Sequence, residues 1–174
     1  SSLSIGLALA LAPLAAQGCR DQENVTQRAN GLEITGSQPS VQTFTCGQSG
    51  LLLRVDVDVR HWVSGVVTPL TINVLATDAG GVPTNQVLAT EQLQPSDIPT
   101  NGYAFVPVRL TQPLAVFPSL VLGLELTVPT TTARAYAWSG DAPGLYAGGT
   151  TFIRRNVGPL SFDMGFRTFV GTSA

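Results

Sequence analysis

Short runs of alternating apolar and polar residues recur about every ten residues along most of this chain, and this spacing limits the fold more than any other feature. The clearest run is Gly50 to Trp62, in which charged side chains occupy every second position from Arg54 to Arg60. Successive side chains of a strand lie on opposite faces of the sheet, so this run predicts a half-buried antiparallel strand. We expect its apolar row to face the core: Leu51, Leu53, Val55, Val57 and Val59.

Similar runs follow, separated by turn signals such as Asn101-Gly102, Gln112-Pro113 and Val128-Pro129. The predicted strands are Val66–Ala76, Gln86–Leu93, Tyr103–Leu110, Ser119–Val128, Ala133–Ser139, Thr151–Arg155 and Phe162–Val170. With 18 glycines and 12 prolines, the chain favours many short strands over helices. We therefore predict an all-β domain of eight or nine antiparallel strands over residues 32–174, either a sandwich or a barrel.

The charge composition excludes some partners and favours others. Charged residues make up 11% of the 174 residues, lysine is absent, and the net charge is −2. Nucleic acid is therefore not expected as a partner, since binding it requires a concentration of positive charge. So few charges would leave much apolar surface in contact with water, which favours a protein that is covered within an assembly.

Residues 1–18 form an uncharged, apolar N-terminal arm with three open interpretations. Over the first twelve residues, large apolar residues alternate without a break with Ser, Gly or Ala, and this period of two favours a strand that fills a groove in another sheet. A packed or membrane-spanning helix is the second interpretation, although Pro13 would interrupt it, and a retained secretory signal is the third. The predicted assembly residues are Leu3, Ile5, Leu7, Leu9 and Leu11.

Residues 19–31 are the one strongly polar run, and we expect a tether between arm and body. Cys19 and Cys46 flank its connection to the body, and an even cysteine count predicts a disulfide between them. The sequence before Cys19 partly matches a lipidation site, which is a weaker interpretation. Asn24-Val25-Thr26 is a glycosylation sequon, which makes Asn24 a candidate acceptor on the tether.

Several segments between residues 40 and 171 resemble secreted bacterial jelly-roll modules. They are Val41–Thr45, Gly50–Val55, Pro83 with Val87–Ala89, Tyr136–Ser139, Tyr146–Gly149 and Asp163–Val170. The resemblance implies a jelly-roll β-sandwich in a secreted, non-catalytic role. In its pattern, the alternating arm also resembles the donor strands of extracellular filament subunits, in which an N-terminal strand completes the neighbouring sandwich.

No catalytic or metal-binding arrangement is evident. His61 is the single histidine and has no partner motif, so we expect a surface or edge side chain and no enzyme activity. Asp56 and Asp58 share one strand face, and Asp141 and Asp163 lie in or near later loops, but none has calcium-loop spacing. We expect solvated strand charges, no metal site and no cofactor.

Aromatic residues near one loop are candidates for binding surface glycans. Tyr136, Trp138 and Tyr146 flank the loop that contains Asp141, and sugars stack on such rings while a carboxylate accepts hydroxyl hydrogen bonds. Tyr136 and Trp138 share a strand face, however, so filling the core is the favoured interpretation.

Together these features predict a secreted structural subunit, located outside the cell or on its surface. Its partners would be identical copies, and the arm would enter a neighbouring sandwich to build a filament or surface layer. The alternative is a carbohydrate-binding or accessory module of a cell-envelope complex, with membrane contact through residues 1–18 alone.

Overall fold

The computed structural model describes residues 18–26, 28, 30–63, 65–129, 132 and 134–171, and this part of the chain forms two antiparallel β-sheets packed as a sandwich. The predicted all-β sandwich is confirmed. The strands are β1 (Cys19–Asn24), β2 (Asn30–Ile34), β3 (Ser40–Thr45), β4 (Gly50–His61), β5 (Leu70–Thr77), β6 (Pro83–Leu93), β7 (Ala104–Val116), β8 (Val121–Thr127), β9 (Tyr136–Asp141), β10 (Thr151–Ile153), β11 (Val157–Leu160), β12 (Asp163–Met164) and β13 (Phe166–Gly171).

The strand order is that of a jelly roll. Sheet A is four strands wide. Two strands lie end to end in each of the first two positions, β1 with β2 at the edge and β13 with β9 next to them, and β4 and β7 follow. The short β12 pairs with the end of β9. Sheet B runs β11-β10-β3-β8-β5-β6. The chain changes sheet after β2, β3, β4, β6, β7, β8, β9 and β11, and its eight main strand positions form two interleaved Greek keys.

The described residues contain thirteen strands, so the predicted count of eight or nine was wrong. The difference arises because the edge position of sheet A opposite β7, and the position next to it, are each built from two separate strands. A short hairpin, β10 with β11, also extends sheet B beyond β3. Eight strand positions belong to the jelly roll itself. The additional strands are too short to show a period of two in the sequence.

The predicted inward row of β4 is correct at Val55, Val57 and Val59 but wrong at its start. Leu52 is fully buried, whereas Leu51 and Leu53 are only partly buried. The pairing of β4 with β7 shifts register between Leu52 and Arg54, and this bulge exchanges the two faces.

Large side chains from both sheets fill the space between them. Trp138, Tyr136, Phe44 and Phe166 are all fully buried, and the rings of Phe44 and Phe166 lie 5.7 Å apart. The indole nitrogen of Trp138 donates a hydrogen bond to the Gly165 carbonyl at 2.8 Å, so its polar atom is satisfied within the core.

The segment predicted as a polar tether is instead part of sheet A. β1 pairs with β13 and β2 pairs with β9, so both strands are part of the sandwich. Residues 1–17, which include all five predicted assembly residues, lie outside the described residues, and the donor-strand interpretation stays a prediction. In the described ranges, no helix is long and apolar enough to span a membrane.

Candidate functional site

The four residues proposed for glycan binding do not form a common surface. Tyr136 and Trp138 are 0% exposed, so neither ring can stack on a sugar. Burial raises the pKa of Tyr136 to about 12, and its hydroxyl donates to the Thr68 carbonyl. Tyr146 packs edge-on against Phe166 and donates to Gln22, while partly buried Asp141 lies opposite Asp163 in the β9–β12 pair. The glycan site as predicted is therefore wrong, and the core interpretation holds for the two buried rings.

The sequon residues are engaged in the sheet. The Asn24 side-chain nitrogen donates to the Met164 carbonyl at 2.9 Å. The Thr26 hydroxyl is buried and lies 2.7 Å from the Ser139 hydroxyl. Glycosylation of Asn24 would require both groups to leave these contacts, because the acceptor is in a paired strand and not on an exposed tether.

The two cysteines are free, so the predicted disulfide is wrong. Cys19 is exposed at the start of edge strand β1, whereas Cys46 is 2% exposed and belongs to the core. Burial is the main cause that raises the pKa of Cys46 to about 12, so this thiol stays protonated and unreactive at neutral pH.

His61 is buried and not at the surface as expected. It is 7% exposed, its ring packs edge-on against Tyr136, and its Nε2 donates to the Pro95 carbonyl at 2.9 Å. Its Nδ1 has no hydrogen-bond partner among the described residues, so no serine or cysteine there is positioned for activation by this ring.

Asp56 and Asp58 are also buried, which corrects the expectation of solvated strand charges. Asp58 is 0% exposed and accepts two hydrogen bonds from Arg28, at 2.9 and 3.0 Å, and one from Ser139 at 2.6 Å. Asp56 lies 2.9 Å from the Arg54 guanidinium, and burial raises its pKa although that cation opposes the rise. Both carboxylates are therefore neutralised by arginine, and no group of three His, Cys, Asp or Glu side chains in the described ranges is placed to hold a metal ion.

An apolar cleft opens where the two sheets separate, at the edge formed by β6 of sheet B and β7 of sheet A. Its volume is about 540 Å³. We name it the edge cleft; its apolar lining includes Ala76, Leu88, Leu114, Ala115, Phe117, Leu120 and Leu122.

The edge cleft leads into the core. Leu88, Leu114 and Leu120 are partly buried and pack against the main core cluster, while Phe117 at the rim is 57% exposed. Leu88 also lines a second depression of about 410 Å³ farther along β6. Beyond Leu88 the seam is bridged by Glu91, whose carboxylate accepts hydrogen bonds from the Thr111 amide and hydroxyl.

The two strands that border the edge cleft differ in how readily they would accept another strand. β7 contains Pro107 and Pro113, which lack the amide hydrogen needed for strand pairing. β6 has a single proline, Pro83, at its first residue. The free edge of β6 is therefore the better template for an added strand.

The described chain begins at the same end of the sandwich as the edge cleft. Cys19 is level with Val170, Val170 with Leu52, and Leu52 with Leu114, across four adjacent strand positions. At about 4.8 Å per strand, Cys19 lies roughly 14 Å across the sheet from the cleft wall. Six residues of extended chain span roughly 20 Å, which is more than this distance.

No protein-family model matches this chain, and no curated protein is similar to it in sequence. Sequence reasoning had missed the edge cleft, and the available signal was the apolar residues on both sides of the Pro118-Ser119 turn, Phe117 and Leu120.

Proposed function

We propose that this protein is a non-catalytic structural subunit, acting outside the cell, that polymerises by inserting residues 3–11 of one copy into the edge cleft of the next. The observation that carries the proposal is the edge cleft itself, an apolar opening between two sheets beside the edge of β6, which pairs on that side with no other described strand. The arm offers the matching pattern, large apolar side chains on one face and small ones on the other.

The cleft volume limits how much of the arm it can hold. About 540 Å³ is roughly three to four times the ~150 Å³ cavity that holds a benzene-sized apolar group. Three or four of the five large arm side chains therefore fit. At about 1.5–3 kcal/mol each, three such side chains would contribute roughly 5–9 kcal/mol.

Burial of these side chains alone does not secure the contact. Association costs about 4–15 kcal/mol in lost motion, so the proposal also requires main-chain hydrogen bonds. A ladder along β6 at about 0.5–1.5 kcal/mol for each bond would supply them. The same pairing would cover an edge that otherwise promotes aggregation.

The test compares two substitutions in the full chain by sedimentation. Leu7→Asp places a carboxylate on the apolar row and should abolish polymers, because a charge in a dry cleft is strongly unfavourable. Ala8→Asp, the matched control on the small-residue row, should retain them. Polymers in both variants would contradict the proposal.

A monomeric wild-type protein would also contradict it. Insertion of the arm into the cleft of its own molecule would then be one explanation. The other is the accessory-module role, in which the arm contacts lipid or a different chain.

A further inference from the structure

Another opening lies at the opposite end of the sandwich from the edge cleft, where β4 ends. Its volume is about 280 Å³, and we name it the end pocket; its lining includes Arg60, His61, Trp62, Thr100 and Asn101. None of the four residues predicted from the sequence for glycan binding lines it. Leu52 is level with the cleft wall, and His61 lies nine residues farther along β4, a distance of roughly 30 Å at about 3.4 Å per residue. A ligand in the end pocket is therefore independent of insertion of the arm.

Two buried polar atoms of the residues that line the end pocket have no hydrogen-bond partner among the described residues. One is Nδ1 of His61; because Nε2 of this ring donates to the Pro95 carbonyl, Nδ1 of the neutral ring can only accept. The other is Nε of Arg60, which can only donate. Folded proteins pair nearly all of their buried polar groups, so these two atoms call for a group that both donates and accepts.

Two aromatic rings hold the Arg60 guanidinium at the end pocket. Its central carbon lies 5.4 Å from the centre of the Trp62 ring and 5.0 Å from that of the Tyr103 ring, within the ~6 Å range of cation–π attraction. No described acid forms an ion pair with Arg60. The acid in the same row of sheet A, Glu33, lies 3.0 Å from Arg134 instead. The rings therefore orient the Arg60 guanidinium, and no described carboxylate occupies its donors.

We propose that the end pocket binds one neutral sugar residue. Sugar hydroxyl groups both donate and accept, so they can donate to the His61 ring and accept from Arg60. The half-buried Trp62 ring supplies an apolar surface for the C–H groups of a sugar, and Asn101 is exposed in the same pocket for further hydrogen bonds. The pocket volume is just under twice the ~150 Å³ cavity that holds a benzene ring. It is therefore enough for one sugar ring with its hydroxyl groups, and far more than one water molecule needs.

A charged ligand fits the end pocket less well. A carboxylate can accept from Arg60 but cannot donate, so Nδ1 of His61 would stay unpaired and its lone pair would face a negative charge. An ammonium group can donate to Nδ1, but it would lie beside the Arg60 cation, which repels it. A neutral ligand with several hydroxyl groups avoids both conflicts.

The test measures dissociation constants of the full chain for the methyl glycosides of glucose, galactose and mannose, by ligand-observed NMR. We expect at least one to bind, and its uronic acid counterpart, which has a carboxylate in place of the primary alcohol, to bind less tightly. Arg60→Met should weaken binding at least about tenfold, because it removes a hydrogen bond from a charged group. Trp62→Leu should weaken it as well, since it removes the ring surface. Arg154→Met and Phe117→Leu remove an exposed cation and an exposed ring elsewhere and should bind like the wild type.

Asn101→Ala changes an exposed side chain of the end pocket and should also weaken binding, which keeps a test available if Arg60→Met or Trp62→Leu does not fold. Three results would overturn the proposal. The first is that no neutral glycoside binds with a dissociation constant below about 10 mM. The second is a uronic acid counterpart that binds as tightly as the neutral glycoside. The third is binding that the folded end-pocket variants leave unchanged, or that the control variants weaken equally.

Discussion

The ion pair between Arg155 and Glu125 holds the β10–β11 turn against the outer face of sheet B. Arg155 has a φ of 64°, a left-handed conformation that costs a non-glycine residue roughly 1–2 kcal/mol. Its guanidinium donates to both carboxylate oxygens of Glu125, at 2.6 and 2.7 Å, and Asn73 donates a further hydrogen bond at 2.8 Å. Glu125 is 1% exposed, so Arg155 is the cation that allows this carboxylate to be buried.

Arg155→Met should therefore destabilise the fold. The variant keeps most of the apolar stem and the left-handed backbone but leaves the Glu125 charge buried without its cation. Removing one partner of a buried pair costs about 3–5 kcal/mol, and the 24% exposure of the Arg155 side chain favours the lower end of that range. At about 2–4 °C for each kcal/mol, the midpoint of thermal unfolding should fall by roughly 6–12 °C.

Urea and thermal unfolding followed by circular dichroism would measure the change. Arg154→Met is the matched control, because Arg154 is exposed in the same turn with a φ of 53° and forms no ion pair with another described residue. Its loss should not exceed about 1.5 kcal/mol, the upper value for one hydrogen bond. Adding Glu125→Gln to Arg155→Met should recover most of the stability, since it removes the uncompensated charge. Two results would refute the reasoning. One is a free energy of unfolding for Arg155→Met within about 1 kcal/mol of that of the wild type. The other is a double variant that is no more stable than Arg155→Met.

Two further predictions concern a thiol and a carboxyl. A thiol reagent should modify Cys19 rapidly in the folded protein and Cys46 only after unfolding, because Cys46 is in the core and its pKa is about 12; equal reaction rates would contradict this. Burial raises the pKa of Asp56 above 3.8, so the folded state holds this proton to higher pH than the unfolded state. The free energy of unfolding of the wild type, compared with that of Asp56→Asn, should therefore fall as pH rises from 3.8 through the raised pKa. Equal pH dependence of the two proteins in urea unfolding would contradict this.

The alternating pattern was sufficient to predict the fold class. It predicted an antiparallel sandwich or barrel and the inward row from Val55 to Val59, because burial on one face requires a period of two, while the choice of a sandwich came from the jelly-roll resemblance. It failed at Leu52, because the bulge depends on the pairing with β7, and residue order within β4 does not determine that pairing.

Contacts that cross the sheet explain the other failures. Asp58 was predicted to be solvated, but Arg28 covers it from thirty positions earlier in the chain. Cys46 was predicted to pair with Cys19, yet one side chain enters the core and the other lies at an exposed edge. The edge cleft is formed by strands that meet only after folding, so the apolar residues Phe117 and Leu120 beside one turn were not sufficient to predict it.

A complementation experiment tests the assembly claim most directly. Leu7→Asp disables the arm and leaves the edge cleft intact, while Ala115→Asp with Phe117→Asp alters two exposed cleft residues and leaves the arm intact. Each variant alone should sediment as a monomer. Their mixture should give a one-to-one dimer of twice the 18.2 kDa chain mass, and no larger species, because only one arm and one cleft remain. A mixture that stays monomeric, or either variant polymerising alone, would contradict insertion of the arm into a neighbouring copy.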